Sequence, residues 1–225
     1  MSERLNKYLA FHLGLSRREA DDSIARGDVL VNGTVAILGS RIENEDKVTI
    51  KGREVVKKTT YSYILLNKPV GYVCSRKQQG DIPTIYELLP KKYHNLKPVG
   101  RLDKDSSGLL ILTDDGDFAY HNTHPSFYKI KQYIVTITPA LEPLHQQMIN
   151  DFGIHLEDGP SKLTLEKLSD NRKKWRVIMH EGRNRQIRRT FAALGYTVSS
   201  LHRTEFGAYK IGEVRSGKYS VVDKC

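Results

Sequence analysis

The sequence predicts an α+β protein in two parts. A small N-terminal α/β unit carries two helices and a hairpin sheet, and a larger domain carries a mostly antiparallel, mixed sheet with peripheral helices. Three observations predict this. The 225 residues amount to roughly one and a half typical domains. A hydrophobic fraction of 39% beside 28% charged residues is enough for packed cores. Near residue 60 the pattern changes from two amphipathic helices and a hairpin to strands alternating with short helices.

The first helix is expected from Arg4 to Leu13, because Leu5, Tyr8, Leu9 and Leu13 make one apolar face, and Gly14 closes it. Ser16-Arg-Arg-Glu19 is a capping box for a second helix, which turns Ala20 and Ile24 inward and stops at Arg26-Gly27. Val29 to Val31 is a strand, Asn32-Gly33 is a strong two-residue hairpin signal, and Thr34-Val35 returns. A further strand spans Val48 to Ile50. Residues 53–60 show little periodicity and read as a linker, which bounds an N-terminal domain at 1–58 and a second at 62–225. Within the second, strands are expected at 62–67, 109–113, 130–137, 162–168, 174–180 and 196–204. Helices are expected at 84–89, 117–123, 142–151 and 184–194.

Lys plus Arg number 36 against 26 Asp plus Glu, a net charge of +10. Such an excess favours a polyanionic partner, either nucleic acid or an anionic membrane surface. The charge is uneven: residues 1–60 carry 11 basic and 9 acidic side chains, the remainder 25 and 17. The N-terminus reads as no signal peptide. Apolar runs such as Leu109 to Leu112 fall far short of the roughly 20 residues of a membrane helix. No basic amphipathic helix with a broad apolar face stands out, which disfavours a membrane-surface protein. Cys74 and Cys225 form no CxxC pair, and the eight histidines show no ligand spacing such as HExxH. The expectation is a soluble, cytoplasmic protein with no metal site and no disulfide framework.

Three stretches could carry chemistry. In Pro98 to Gly116, Gly100 and Gly108 bracket Arg101, Asp103, Asp105, Ser106 and Ser107, and an apolar strand follows at once. Polar residues pinned by a rigid strand suit catalysis; a plain Gly/Asp-rich turn is the alternative. In Glu181 to Gly195, helical spacing puts Arg185, Arg188 and Arg189 on one face and Ile187, Phe191 and Leu194 on the other. Five arginines and no acidic residue lie between Gly182 and Thr204, so the arginines lack local carboxylate partners. They present forks to phosphate or carboxylate, or form a solvated basic face. In Lys131 to Ile137, alternation places Tyr133, Val135 and Ile137 together; Tyr133 is core unless that face lines a cleft. Tyr63 to Gly71, YILLNKPVG, reads as a buried strand and a turn.

GRLDKDSSGLL resembles the catalytic loop of pseudouridine synthases. Taken in order, LNKPVGYVCS, GRLD, KQYIVT and EGRNRQIRRTFAALG are similar to the Rsu-type branch, which modifies bacterial ribosomal RNA at a single uridine. The start, RLNKYLAFHLGLSRREADDSIARGDVLVNG, resembles the S4 RNA-binding module fused to those enzymes. The motifs touch nearly the whole chain.

The resemblance implies that the uracil glycosidic bond breaks, the base turns, and it rejoins ribose through carbon. The catalytic aspartate maps onto Asp103, the strand tyrosine onto Tyr133 in Lys131-Gln-Tyr133, and the arginine onto Arg188 in RQIR. Whether Asp103 attacks C1′, attacks the base or takes the C2′ proton, it must be ionised, which an adjacent Arg188 would favour. The uridine must be flipped out of its stack, and Tyr133 offers a ring beneath it. No cofactor is expected. Arg17, Arg18 and Arg26 in the S4-like unit are expected to face RNA phosphates, as are Arg101, Arg183, Arg185, Arg189 and Arg203 in the larger domain. The expected partner is ribosomal RNA, free or in a ribosomal subunit assembly intermediate, met by a monomer. The rival expectation is a non-catalytic S4-type, ribosome-associated RNA-binding protein.

Overall fold

A computed structural model describes residues 2–57, 60–76 and 78–225. Two compact units emerge: Met1–Ser62 with the short segments 95–97 and 113–116, and the remainder of the chain. The first domain's end expected at residue 58 falls outside the described residues. Among those residues no helix is long and apolar enough to cross a membrane.

In the first unit, α1 (Leu5–Leu13) ends at Gly14, whose φ of 71° is the left-handed conformation that favours glycine. The capping box opens α2 (Arg17–Ala25): Glu19 N donates to Ser16 Oγ at 3.1 Å and Ser16 N to Glu19 Oε2 at 2.6 Å. Strands β1 (Val29–Val31) and β2 (Thr34–Val35) are joined through Asn32 and Gly33, both at positive φ, as a primed hairpin turn requires. With β3 (Val48–Ile50) and β4 (Arg53–Glu54) they form a sheet in the order β2-β1-β3-β4. Leu5, Leu9, Ala20, Ile24, Val29 and Val48 close the core between helices and sheet. Arg53 and Glu54, read as linker, pair with Ile50 and Thr49. Backbone ladders need no side-chain periodicity, so this strand left no pattern to read.

The second unit is a mixed sheet covered by short helices. Its strands are β5 (Tyr63–Lys68), β6 (Ser107–Thr113), β7 (Lys131–Thr138), β8 (Thr164–Lys167), β9 (Lys174–Met179), β10 (Thr197–Phe206) and β11 (Tyr219–Val221). They lie in the order β8-β9-β7-β10-β6-β5-β11. β7 runs antiparallel to both β9 and β10, whereas β10 and β6 meet in parallel. Buried and partly buried residues alternate along β7, with Tyr133, Val135 and Ile137 inward, while β5 is buried throughout. Both patterns follow from coverage: a half-covered strand alternates, and one covered on both faces does not.

The helices are α3 (Gly116–Thr123), α4 (Pro143–Gln147) and α5 (Gln186–Ala192). Three helix expectations change in detail. The stretch 84–89 is a single 3₁₀ turn, Ile85–Leu88. The helix expected over 142–151 passes at Met148 into a π turn that ends before Gly153. The helix expected from 184 starts only at Gln186, because Arg185 sits at φ 48°, a left-handed conformation that cannot continue a helix backwards.

At Gly108 the sheet depends on the absence of a side chain. Its φ is +106°, and a Cβ there would lie 2.2 Å from Arg203 O and 2.6 Å from Arg203 N. Both neighbours are backbone of β10, so neither can swing away. We predict that Gly108→Ala lowers unfolding stability by about 3 kcal/mol or more, from strain plus overpacking. Urea unfolding of the purified variant measures it, and a loss below about 1 kcal/mol would contradict the geometry.

Candidate active site

The loop between Gly100 and Gly108 is fastened from below. Lys68, at the end of β5, is wholly buried. Its Nζ donates to Ser106 O at 2.7 Å, Asp103 O at 3.0 Å and Pro69 O at 3.1 Å. Burial pulls the ammonium's pKa down, and the nearby Cys74, Asp103 and Asp105 act against that pull. Ser106 N donates to Asp103 O at 3.0 Å and Gly71 N to Lys104 O at 2.8 Å. Cys74 Sγ reaches Leu102 O at 3.4 Å. At the loop's far end Ser107 Oγ lies 2.9 Å from His202 Nδ1. A polar loop held at this many points positions its side chains without their own help.

Above this loop opens a cleft of about 290 Å³. One wall is the loop itself, with Arg101, Asp103 and Ser106. The floor comes from one face of the sheet: Lys131 and Tyr133 of β7, Met179 of β9, and Leu201, Arg203 and Phe206 of β10. Tyr133 stands in register between Val177 and Arg203, and it is 8% exposed. The opposite wall is the turn before α5, Gly182 to Ile187. Asn122 and Thr123, at the end of α3, complete the rim.

Arg185 crosses from that wall to the loop. Its Nη1 lies 3.5 Å from Asp105 Oδ2 and 3.9 Å from Asp103 Oδ2. Arg188 takes a different course: its Nη2 donates to Asp105 O and its Nη1 to Val198 O, both at 2.8 Å. Burial and the Arg185 charge lower the Arg188 pKa, and Asp105 and Asp103 oppose them. Arg188, expected beside Asp103, is close enough to feel its charge but makes no ion pair with it among the described residues. Arg188 bonds to the loop's backbone, and the ion pair with the carboxylate belongs to Arg185, because the left-handed turn lifts Arg185 off the helix face that it was expected to share.

The other arginines also meet partners that lie far away in sequence. Arg189 forms a two-pronged pair with Asp158, at 2.6 Å and 3.0 Å. Arg183 Nη1 reaches Asp158 Oδ1 at 2.8 Å, and its Nη2 reaches Glu181 Oε1 at 3.2 Å. Asp158 sits in a hairpin, Ile154–Leu156 with Gly159–Ser161, that periodicity did not reveal. Gln186, fully enclosed, donates to Ser161 Oγ at 3.0 Å and to Glu181 Oε1. Arg183 and Arg189, expected as phosphate contacts, are thus committed to fastening this hairpin to α5. Arg203, expected likewise, is only 2% exposed and donates through Nε to Leu109 O at 2.8 Å. Burial removes it from any surface phosphate.

Residues 62–193 match the family model described as RNA pseudouridylate synthase. The chain belongs to the RNA pseudouridylate synthase family. It is 36% identical over 236 residues to the ribosomal large subunit pseudouridine synthase B of Pseudomonas aeruginosa, a match that takes in the whole chain but 60% of that protein's length. It is 37% identical over 225 residues to the ribosomal small subunit pseudouridine synthase A of Pasteurella multocida, covering 96% of this chain and 94% of that protein. A solved pseudouridylate synthase superposes with a TM-score of 0.70 at 33% identity, covering 98% of this chain and 96% of its own.

In this pseudouridylate synthase family member the expected site residues are therefore divided. Asp103, Tyr133, Arg101, Arg183, Arg185 and Arg203 all line one cleft, and Arg188 braces it. In the first unit, Arg17 lies beside a second basic hollow with Arg4, Lys7 and Arg41, and Arg18 is exposed. Arg26 is occupied by Asp28 at 3.1 Å and Ser23 Oγ at 3.1 Å. The residue that sequence reasoning passed over is Lys68. The available signal was a lysine closing an otherwise apolar strand, directly before Pro69. Among the described residues no cluster of His, Cys, Asp or Glu could hold a metal ion.

Replacing Lys68 by Met would leave the carbonyls of Pro69, Asp103 and Ser106 without their buried donor. We predict a stability loss of about 3 kcal/mol or more. We also predict faster amide exchange at Ser106 and Gly71, whose N–H groups bond to the loop. Unchanged protection at these two amides would show that the loop is held by something other than Lys68.

Proposed function

We propose that this chain isomerises a uridine of ribosomal RNA to pseudouridine in the cleft walled by the Gly100–Gly108 loop. The observation that carries the proposal is the placement of Asp103. A carboxylate on a firmly tied loop faces an aromatic floor residue, Tyr133, and an arginine, Arg185, across a space sized for one nucleoside. The target uridine is extruded from its stack, at a cost of a few kcal/mol, and settles over Tyr133, where stacking contributes about 1–3 kcal/mol. Asp103 acts as an ionised carboxylate, with the Arg185 guanidinium 3.9 Å from it. Overall, the C1′–N1 bond breaks, a C1′–C5 bond forms, C5 loses a proton and N1 gains one. Nothing is oxidised, reduced or hydrolysed.

The relatives' names include both a large-subunit and a small-subunit enzyme, so they support ribosomal RNA as the substrate class without selecting a subunit. A purely RNA-binding, ribosome-associated protein would give no reason for a carboxylate to be held inside a basic cleft. The N-terminal unit, which resembles an S4 module, presents Arg17 and Arg18 as phosphate contacts that position the RNA. The chain acts as a cytoplasmic monomer in this reading.

Asp103→Asn is expected to abolish pseudouridine formation while RNA affinity changes by less than about twofold, because a carboxylate makes no favourable phosphate contact that could be lost. Mapping pseudouridines in ribosomal RNA from cells carrying the natural chain, the Asn variant or neither supplies the readout. A modification that persists with freshly prepared Asn variant would end the assignment of Asp103.

Converting Arg17 and Arg18 together to Ala is expected to weaken RNA binding and to flatten the logarithmic salt dependence by about 1.4–1.8, at roughly 0.7–0.9 per lost phosphate contact. Titrations at several salt concentrations decide this. An unchanged slope would remove both arginines from the RNA interface.

A further inference from the structure

Three cations lie beneath or beside the cleft, Lys68 and Arg203 buried and Lys131 half-buried, and each is bonded only to backbone carbonyls. Lys68 Nζ meets those of Pro69, Asp103 and Ser106. Lys131 Nζ donates to Glu181 O at 3.1 Å, and Arg203 Nε to Leu109 O at 2.8 Å. Among the described residues no carboxylate oxygen lies within ion-pair distance of any of the three. Arg203 is the extreme case. It lines the cleft, yet its Nη2 is shut off from solvent with no hydrogen-bond partner. Its guanidinium carbon lies 5.0 Å from the centre of the Phe206 ring, and Lys131 Nζ lies 5.8 Å from the same ring. Two cations thus share one aromatic neighbour at the floor, and the field of Arg203 adds to burial in lowering the Lys131 pKa.

Buried charge without a counter-charge is strongly unfavourable unless a ligand completes it. The position says which part of a nucleotide does so. Arg203 pairs in register with Tyr133, so it flanks the ring on which an extruded base would rest, and its burial keeps it from a surface phosphate. We propose that Arg203, assisted by Lys131, receives the carbonyl edge of the extruded pyrimidine and stabilises the negative charge that the base acquires when its glycosidic bond opens. This rests on the isomerase reading given above. As C1′–N1 breaks, its electron pair leaves with the base and spreads over N1 and the ring carbonyls. C5 then bonds to C1′ with an electron pair of that anion, C5 gives up its proton, and N1 takes one up, so the charge exists only between the two bonds. A cation placed before the charge develops favours the transition state over the bound substrate.

The test compares the full chain with Arg203→Gln on two RNAs of one sequence that the unmodified chain modifies, carrying uridine or 5-fluorouridine at the target. Fluorine makes the base more acidic, so its anion needs less help. Single-turnover consumption of the target nucleoside should slow about 100-fold or more with uridine, and at least about tenfold less severely with 5-fluorouridine. RNA affinity and its salt dependence should remain those of the unmodified chain. Equal slowing on both RNAs, or no slowing, would overturn the proposal. So would weaker binding with a flatter salt dependence and intact chemistry, which would return Arg203 to a phosphate. If thermal melting shows that Arg203→Gln does not fold, Lys131→Met on the same pair of RNAs decides by the same inequality. An unmodified chain that converts no ribosomal RNA would strike the isomerase reading itself, separately from this inference.

Discussion

The Lys68 ammonium, enclosed at the end of β5, is the interaction on which the geometry of the cleft rests. Its three donors meet three carbonyls that converge from one turn and one loop, a demand that a compact, rotatable ammonium meets better than a planar guanidinium. Because it bonds to the backbone of Asp103 and Ser106, it fixes the loop whatever the side chains do. Its charge also adds to the positive potential in which the Asp103 carboxylate sits. Gly108 fixes the other end, since only a residue without a Cβ lets β6 lie against the Arg203 backbone. Between these two points the loop has little freedom left.

The same cleft shows how positive charge is divided among tasks. Arg183 and Arg189 are held by Asp158, and Arg188 is spent on carbonyls of Asp105 and Val198, so these three build the wall. Arg185 is the one that reaches the loop carboxylates. Arg203, buried, and Lys131, half-buried, lie below, where a charge acts more strongly than at the open surface. A net charge of +10 therefore does not translate into a uniformly sticky face. Part of it is structural, part of it is aimed inward, and only the rest is available to draw in a polyanion.

Much of this was legible in the sequence, and the parts that were not share a cause. The capping box at Ser16, the turn at Asn32-Gly33 and the alternation of β7 are local signals, and each has its local outcome. The motifs around Asp103 and Tyr133 were equally plain, and the structure brings both residues to one cleft. The arginine partners were not legible, because Asp158 lies about 25 residues from Arg183, in a hairpin of three-residue strands containing Gly159 and Pro160. The course of the Arg185 and Arg188 forks was not legible either, because it depends on the left-handed backbone at Arg185, inside the helix expected from 184. Lys68 was passed over because a strand followed by a proline turn explains YILLNKP without reference to the loop beyond it.

The strand order carries a consequence for the making of the protein. β10, the strand that bears Arg203, is inserted between β6 and β7, although it follows both by more than 50 residues. β5 receives β11 on its outer edge only when residues 219–221 are present. A chain emerging from its N-terminus thus exposes two strand edges, and an apolar one at Leu109 to Leu112, until its last quarter arrives. During that interval the loop carrying Asp103 lacks the part of its floor that β10 supplies, Leu201, Arg203 and Phe206. Synthesis of the C-terminal segment is the event that both seals the sheet and creates the cleft, so a ribosome stalled within it would hold a nascent chain that is open to aggregation and unable to bind a nucleoside.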